Sequence, residues 1–301
     1  MIVYTIYFTS FVMTKLSVMK RNEFIKKSIL AIPALGTISV LAKEENSDKL
    51  YEQVGFEHIS KHATKMKNSV IHKANTRGLA DHGWLKSHHT FSFANYYDPE
   101  RVQFGTLRVL NDDRVAAGMG FGTHPHKNME IISIPLEGDL EHKDSMGNTS
   151  VIRKNDIQIM SAGTGIQHSE YNRNKEMEVK FLQIWVLPKE NNITPRYDQI
   201  TYKPEDRINK FQRIVSPEED GSVWINQDAY FSLGNLLKGF STEYTINKKG
   251  NGVYAFILKG EVEINDQKLE TRDGFGIWDV DTMKVKASTD AEILLMEVPM
   301  N

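Results

Sequence analysis

The stretch Gly122-Thr-His-Pro-His-Lys-Asn-Met-Glu-Ile-Ile-Ser-Ile-Pro-Leu-Glu-Gly138 holds two histidines, His124 and His126, followed by an apolar run that stops at a Glu-Gly-Asp turn. On a strand, side chains at i and i+2 leave the same face, so both imidazoles point one way. Further along, Gly165-Ile-Gln-His-Ser-Glu170 repeats the device with His168 and Glu170. If both strands turn these faces into one barrel, four donors can converge on a point. One pair reaches only one side of an ion; the second supplies the other side and leaves positions open for water or substrate. Three neutral imidazoles and a carboxylate suit Fe(II), Mn, Ni, Cu or Zn without choosing among them. Gly118, Gly120, Gly122, Gly163 and Gly165 fit close turns that aim the two strands inward. His58, His62, His72, His82 and the pair His88-His89 lack such partners and read as surface or core histidines.

Outward from these motifs, short β-type runs alternate with turns from Val70 onward. Gly105 to Leu110 ends at Asn111-Asp-Asp113, Val179 to Leu187 ends at Pro188, and Val253 to Leu258 ends at Lys259-Gly260. Many short strands at this spacing indicate a sandwich or barrel, and no long helical periodicity competes. Leu136-Glu-Gly-Asp-Leu-Glu141 with Arg153 to Ile159 has a counterpart in Leu258-Lys-Gly-Glu-Val-Glu263 with Thr271 to Ile277. Two copies of a strand–turn–strand unit predict two stacked barrels. Their boundary is expected between Pro188 and Pro204, where Asn191, Asn192 and Pro195 also break regular pairing.

The 301 residues carry 37 Lys+Arg against 39 Asp+Glu, so no basic field points to nucleic acid. There is no cysteine, which excludes disulfides, thiolate metal sites and thiol nucleophiles. Any metal must be held by His, Asp or Glu. At the N-terminus, Met19-Lys-Arg-Asn-Glu-Phe-Ile-Lys-Lys27 precedes a mostly apolar run from Ser28 to Ala42 and then Lys43-Glu-Glu45. Basic flank, apolar core and small residues at Val40-Leu-Ala42 form the pattern of an export signal over residues 1–45, followed by a linker at 46–69. Periplasmic export is the expectation, with no membrane association after processing; an amphipathic extension or uncleaved anchor on a cytoplasmic protein is the other reading. The run at 28–42 is short for crossing a bilayer of ~30 Å. Met19 is as good a start as Met1, and Asn22 stands where a twin-arginine signal has its second arginine.

At the histidine motifs the sequence resembles the cupin superfamily, with a first motif from Gly118 to Gly138 and a second, Gly163-x-Gly165-x-x-His168-x-x-x-Asn172. More specifically it is similar to the pirin family, in its bacterial branch described as quercetin 2,3-dioxygenases. His82-Gly-Trp-Leu85, Thr90 to Pro99, Leu107 to Asp113, Asp144-Ser-Met-Gly-Asn148, Gln158 to Gly165 and His168 to Asn172 carry the likeness, which runs from about Val70 to Pro299. It implies an all-β bicupin, two stacked antiparallel jelly-roll barrels, with residues 70–190 holding the metal site and 191–301 holding none. In the second barrel the two histidine positions fall on Ile246 and Lys248.

The resemblance assigns one mononuclear divalent metal to His124, His126, His168 and Glu170, with Fe(II) ahead of Mn, Ni, Cu, Co or Zn. In most other cupins the carboxylate comes from the first motif, here Glu130, as a ligand or as a partner orienting an imidazole. The implied activity is oxidative opening of a flavonol such as quercetin with O2, releasing carbon monoxide and a depside, Glu170 acting as base for the 3-hydroxyl. Phe91, Phe93, Phe121 and Trp84 are candidates for stacking on a flat substrate. A metal-binding protein-interaction module of the pirin type, or another cupin reaction on a small molecule, is the alternative. A monomer acting without nucleic acid is expected.

Overall fold

The computed structural model describes residues 68–300, so the expected export signal and all but the last residues of the expected linker lie outside the described residues. Two short 3-10 turns, Ala74–Thr76 and Pro204–Arg207, are the only helical segments among the described residues. The rest is strands and turns, as the β-type runs predict, except that Asn111-Asp-Asp113, expected to end a strand, lies inside one (Leu107–Val115) that is paired on both sides. The strands of the first half are β1 (Ser69–His72), β2 (Gly78–Asp81), β3 (Leu85–His89), β4 (Leu107–Val115), β5 (Gly120–His126) and β6 (Glu130–Glu137). They continue as β7 (Leu140–Asp144), β8 (Thr149–Ile152), β9 (Asp156–Ser161), β10 (Ile166–Asn172) and β11 (Val179–Val186), and β12 (Arg196–Thr201) follows the expected boundary. The second half has β13 (Phe211–Ser216), β14 (Val223–Trp224), β15 (Tyr230–Leu236), β16 (Ser241–Thr245) and β17 (Asn251–Lys259). It ends with β18 (Val262–Ile264), β19 (Gln267–Leu269), β20 (Gly274–Ile277), β21 (Thr282–Ala287) and β22 (Ala291–Pro299).

Each half sets a long sheet against a short one. In the first half the orders are β12-β9-β6-β11-β4-β3-β2 and β5-β10-β7-β8; in the second, β1-β20-β17-β22-β15-β13-β14 and β16-β21-β18-β19. The central strands β6, β9, β11 and β17 are buried almost throughout because both of their faces are covered. One face packs on the long sheet of the other half. Ile132, Ile134, Leu182 and Ile184 meet Phe231, Tyr254, Phe256 and Leu294 in a single apolar cluster. The alternate residues turn into each half's own interior, as period-2 alternation requires.

The two interiors differ in kind. That of the second half is filled by Val253, Ala255, Ile257, Ile293, Leu295 and their neighbours. That of the first half is split into two small apolar groups, one around Leu140 and Phe181 and one around Ile131 and Ile166. Between them run buried polar residues, among them Ser133, His142, Gln158, Glu170 and Gln183. A polar stripe in an otherwise apolar interior costs stability unless its members are paired, and so marks the candidate site of the first half.

Edge strands cross between the halves. β1 pairs antiparallel with β20 of the second half, and β12 pairs with β9 of the first. A boundary near residue 190 therefore divides the sequence but not the sheets. The break in pairing expected from Pro188 to Pro204 is corrected at Arg196–Thr201, a regular strand, because the open edge of β9 offers it a full ladder.

The turn that launches β10 depends on Gly163, whose φ of +46° lies in the left-handed region and whose missing Cβ would sit 2.0 Å from the Ile193 carbonyl oxygen. Gly163→Ala is expected to cost about 1–3 kcal/mol from backbone strain alone, with the clash adding to it. Chemical denaturation of the variant beside the parent protein reads that loss; unchanged stability would contradict the tight turn.

Candidate metal centre

β5, β10 and β7 lie side by side and present one row of donors to the interior. His168 is paired in register with His124 on β5 and with Asp144 on β7, and Glu170 is paired with His142. The ladder to β5 slips between His168 and Glu170, so Glu170 faces Phe121 where regular pairing would put Gly122. The extra residue in β5 is a bulge beside the donor row, a device that re-aims side chains next to sites. The three rings lie close together: centroids are 4.8 Å apart for His124–His126, 4.4 Å for His124–His168 and 4.9 Å for His126–His168. One donor nitrogen from each lies within 4.8 Å of the others, and a second such group is His142, His168 and Glu170. The predicted donors thus come together through His168, which belongs to both groups.

Hydrogen bonds fix which nitrogen His124 and His168 offer. The Gly122 carbonyl lies 2.8 Å from His124 Nδ1 and can only accept, so the proton is on Nδ1 and Nε2 carries a free lone pair. His142 Nε2 lies 3.1 Å from Asp144 Oδ2 and donates to it, which leaves His142 Nδ1 as an acceptor. That acceptor stands 3.5 Å from His168 Nδ1, so His168 is protonated there. His168 Nε2 is buried and has no hydrogen-bond partner. A buried lone pair left open at the meeting point of three imidazoles is what a metal ligand requires.

Electrostatics act in the same direction. Burial, reinforced by His124 and His142, pushes His168 down to about 3. Burial together with His168 and His124 pushes His126 down to about 4 against the opposing pull of Glu170. Both rings are therefore neutral at pH 7, the form that binds metals. These two rings, with His124 and a nearby carboxylate, fit a divalent first-row metal.

Glu170 is held from the opposite sheet. Gln183 Nε2 on β11 donates to Oε2 at 2.7 Å, and Ser133 Oγ on β6 lies 3.1 Å from Oε1. Glu130 sits three residues before Ser133 and, by strand parity, on the other face of β6. Its Oε2 accepts from Ser161 Oγ at 2.7 Å and from the Asn226 backbone N–H of the second half at 3.2 Å. It belongs to neither donor group among the described residues. Burial pushes Asp113 up to about 7, with Asp112 and Glu170 adding to the effect and Ser87 opposing it.

Of the four aromatic candidates, Phe121 is the cross-strand partner of Glu170 and Phe93 reaches the donors only through Trp185, while the assignments of Phe91 and Trp84 are corrected. Phe91 is buried between the halves against His72 and Tyr254. Trp84 and Phe121 pack on each other in the apolar end of the first half. Trp185, absent from the sequence reading, is the aromatic that touches the site, its ring 5.0 Å from His126 and 5.3 Å from Phe93. His142 and Asp144 were also missed. Their signal was present: His142-Lys-Asp144 is a third i, i+2 pair of donor residues on a strand.

The outer pair makes a testable contribution. Asp144→Asn should weaken metal affinity about 10–100-fold by releasing the tautomer of His142 and, through it, that of His168. Competition with a chromophoric chelator measures it; an unchanged affinity would sink the relay.

Comparison with known proteins decides the family. The family models described as Pirin and as Quercetinase C-terminal cupin domain match residues 70–186 and 213–298. A protein of Escherichia coli (strain K12) named quercetin 2,3-dioxygenase is 48% identical over 230 residues, which span 76% of this chain and 98% of that one. The chain belongs to the pirin family. Other pirin-family relatives agree: one from Pseudomonas aeruginosa, named a putative quercetin 2,3-dioxygenase, is 44% identical over 73% of this chain and 95% of its own. The crystal structure of the bacterial pirin YhhW from Escherichia coli in complex with nickel(II) is 46% identical, with a TM-score of 0.73 over 77% of this chain and 99% of that one. The pirin-family assignment carries with it two cupin-like halves, in agreement with the sheets described above.

Proposed function

We propose that this chain is a metal-dependent dioxygenase that opens a flavonol of the quercetin type with O2, one divalent transition metal being held by His124, His126, His168 and Glu170. The observation that carries the reading is the buried, unpartnered Nε2 of His168, grouped with the imidazoles of His124 and His126 and with a carboxylate on its own strand. The names of the similar proteins from Escherichia coli support the substrate class, and the nickel in the related structure supports a divalent transition metal. The donor set is equally compatible with Fe(II), which the family resemblance favours, and with Mn, Cu, Co or Zn.

When bound, the metal supplies Lewis acidity that lowers the pKa of the substrate's 3-hydroxyl. Glu170 accepts the 3-hydroxyl proton at a carboxylate oxygen, while Gln183 and Ser133 hold its orientation from the facing sheet. Trp185 and Phe93 offer an aromatic edge for a flat substrate, and Trp185 Nε1–H, which has no protein acceptor, is available to a substrate oxygen. The reaction takes up one O2 into the depside and releases the flavonol's C3 as carbon monoxide.

The test follows quercetin loss, O2 uptake and carbon monoxide release on the metal-replete protein. Equal amounts of all three are expected. A metal-replete protein that consumes no flavonol would overturn the dioxygenase reading and favour a metal-binding interaction module.

A further inference from the structure

Where the two halves meet, away from the donor cluster, a groove of about 340 Å³ is lined by six cationic side chains, Arg114, Lys154, Lys180, Arg207, Lys259 and Arg272, against two acidic ones, Glu137 and Glu292. Lys180 pairs with Glu137 and Arg272 with Asp112, but Arg114, Lys154, Lys259 and Arg207 form no ion pair among the described residues. Arg207 is the unusual member, for it is only 6% exposed. Its Nε donates to Asn235 Oδ1 of the second half at 3.2 Å, and its Nη2 donates to Asn155 Oδ1 of the first at 2.9 Å. Its Nη1 is buried and has no acceptor.

A buried guanidinium is ordinarily matched by a carboxylate, because an uncompensated charge and an unserved N–H are each costly. Here two neutral amides position the guanidinium, and no carboxylate pairs with it directly. Burial pushes Arg207 below the usual arginine range, with Glu292 and Glu205 only partly opposing it. The exposed ammonium groups of Lys154 and Lys259 stand at the rim, and Ile134, Ile157, Leu233 and Leu258 add apolar wall. A planar guanidinium flanked by mobile ammonium groups suits the oxygens of a phosphate, and an apolar wall suits the carbon of an ester. The volume falls in the range of small-ligand sites.

We infer that this groove binds a small anion of the phosphate class, free phosphate or a phosphate monoester, with Arg207 at its floor and Lys154 and Lys259 at its rim. The ligand touches both halves and stabilises their packing. The site is separate from the donor cluster and does not depend on the proposed oxygenase reaction.

Isothermal titration of the full chain with inorganic phosphate and with glycerol phosphate, at ionic strength matched with sodium chloride, tests it. Saturable binding is expected, weakened by roughly tenfold or more in Arg207→Gln, the loss of one charge-assisted hydrogen bond. The double variant Lys154→Gln, Lys259→Gln should lose as much, and it keeps the test valid if Arg207→Gln fails to fold. A tighter fit for glycerol phosphate assigns the site to esters, and equal affinities assign it to free phosphate. Absence of saturable binding, or binding unchanged in the variants, would overturn the inference. So would binding lost in His124→Ala, which would place the anion at the metal centre.

Discussion

Replacing His168 by alanine is expected to reduce metal affinity by more than about 100-fold, beyond the loss predicted for Asp144→Asn, because it removes a donor atom and not merely the partner that orients one. His168 is the residue common to both donor groups, and its Nε2 has no other role in the folded chain. Its backbone partners on β5 and β7 are unaffected by truncation at Cβ, so the fold should survive. The informative result is a well-folded protein that neither retains metal through gel filtration nor consumes flavonol. A variant that keeps a full equivalent of metal would remove His168 from the site, and with it the reason for the His142–Asp144 relay.

The second large effect concerns stability. Phe231 on β15 is fully buried in the cluster that joins the two long sheets. Phe231→Ala should cost about 3–5 kcal/mol, since a lost aromatic leaves a cavity that facing strands of two sheets cannot close. For a folded unit of this size the thermal midpoint should fall by about 6 to 20 °C. Phe231 lies far from the donor row in the topology, so metal affinity measured well below the new midpoint should be unchanged. A small shift would mean that the two sheets are not joined by this cluster. Metal loss at low temperature would mean that the site depends on the joint.

The donor residues were legible in the sequence because strand alternation is a rigid rule: residues at i and i+2 share a face whatever the rest of the chain does. The same rule separates Glu130 from Glu170, since Glu130 and the inward Ser133 are three apart on β6 and so face opposite ways. What the local pattern lacks is the identity of each face's neighbour. Phe91 and Phe93 look alike in sequence, yet one is buried between the halves and the other packs on Trp185, which touches His126. Trp185 lies on β11, where every position except Lys180 and Gln183 is apolar, so alternation gives little signal of which residues reach the interior. The bulge in β5 was hidden because register depends on the partner strand. The exchange of β1 and β12 was hidden too, because an edge strand joins whichever sheet has an open edge, a property of the assembled sheets. His142 was missed for a different reason: its partner Asp144 lies in a stretch that reads first as a turn.

The ligand set itself is tested most directly by anomalous diffraction from crystals of the metal-replete protein, recorded at the absorption edge of the bound metal. One peak in contact with His124, His126, His168 and Glu170 is the predicted result. A peak contacting Glu130 in place of Glu170, or no peak in the first half of the chain, would contradict the account.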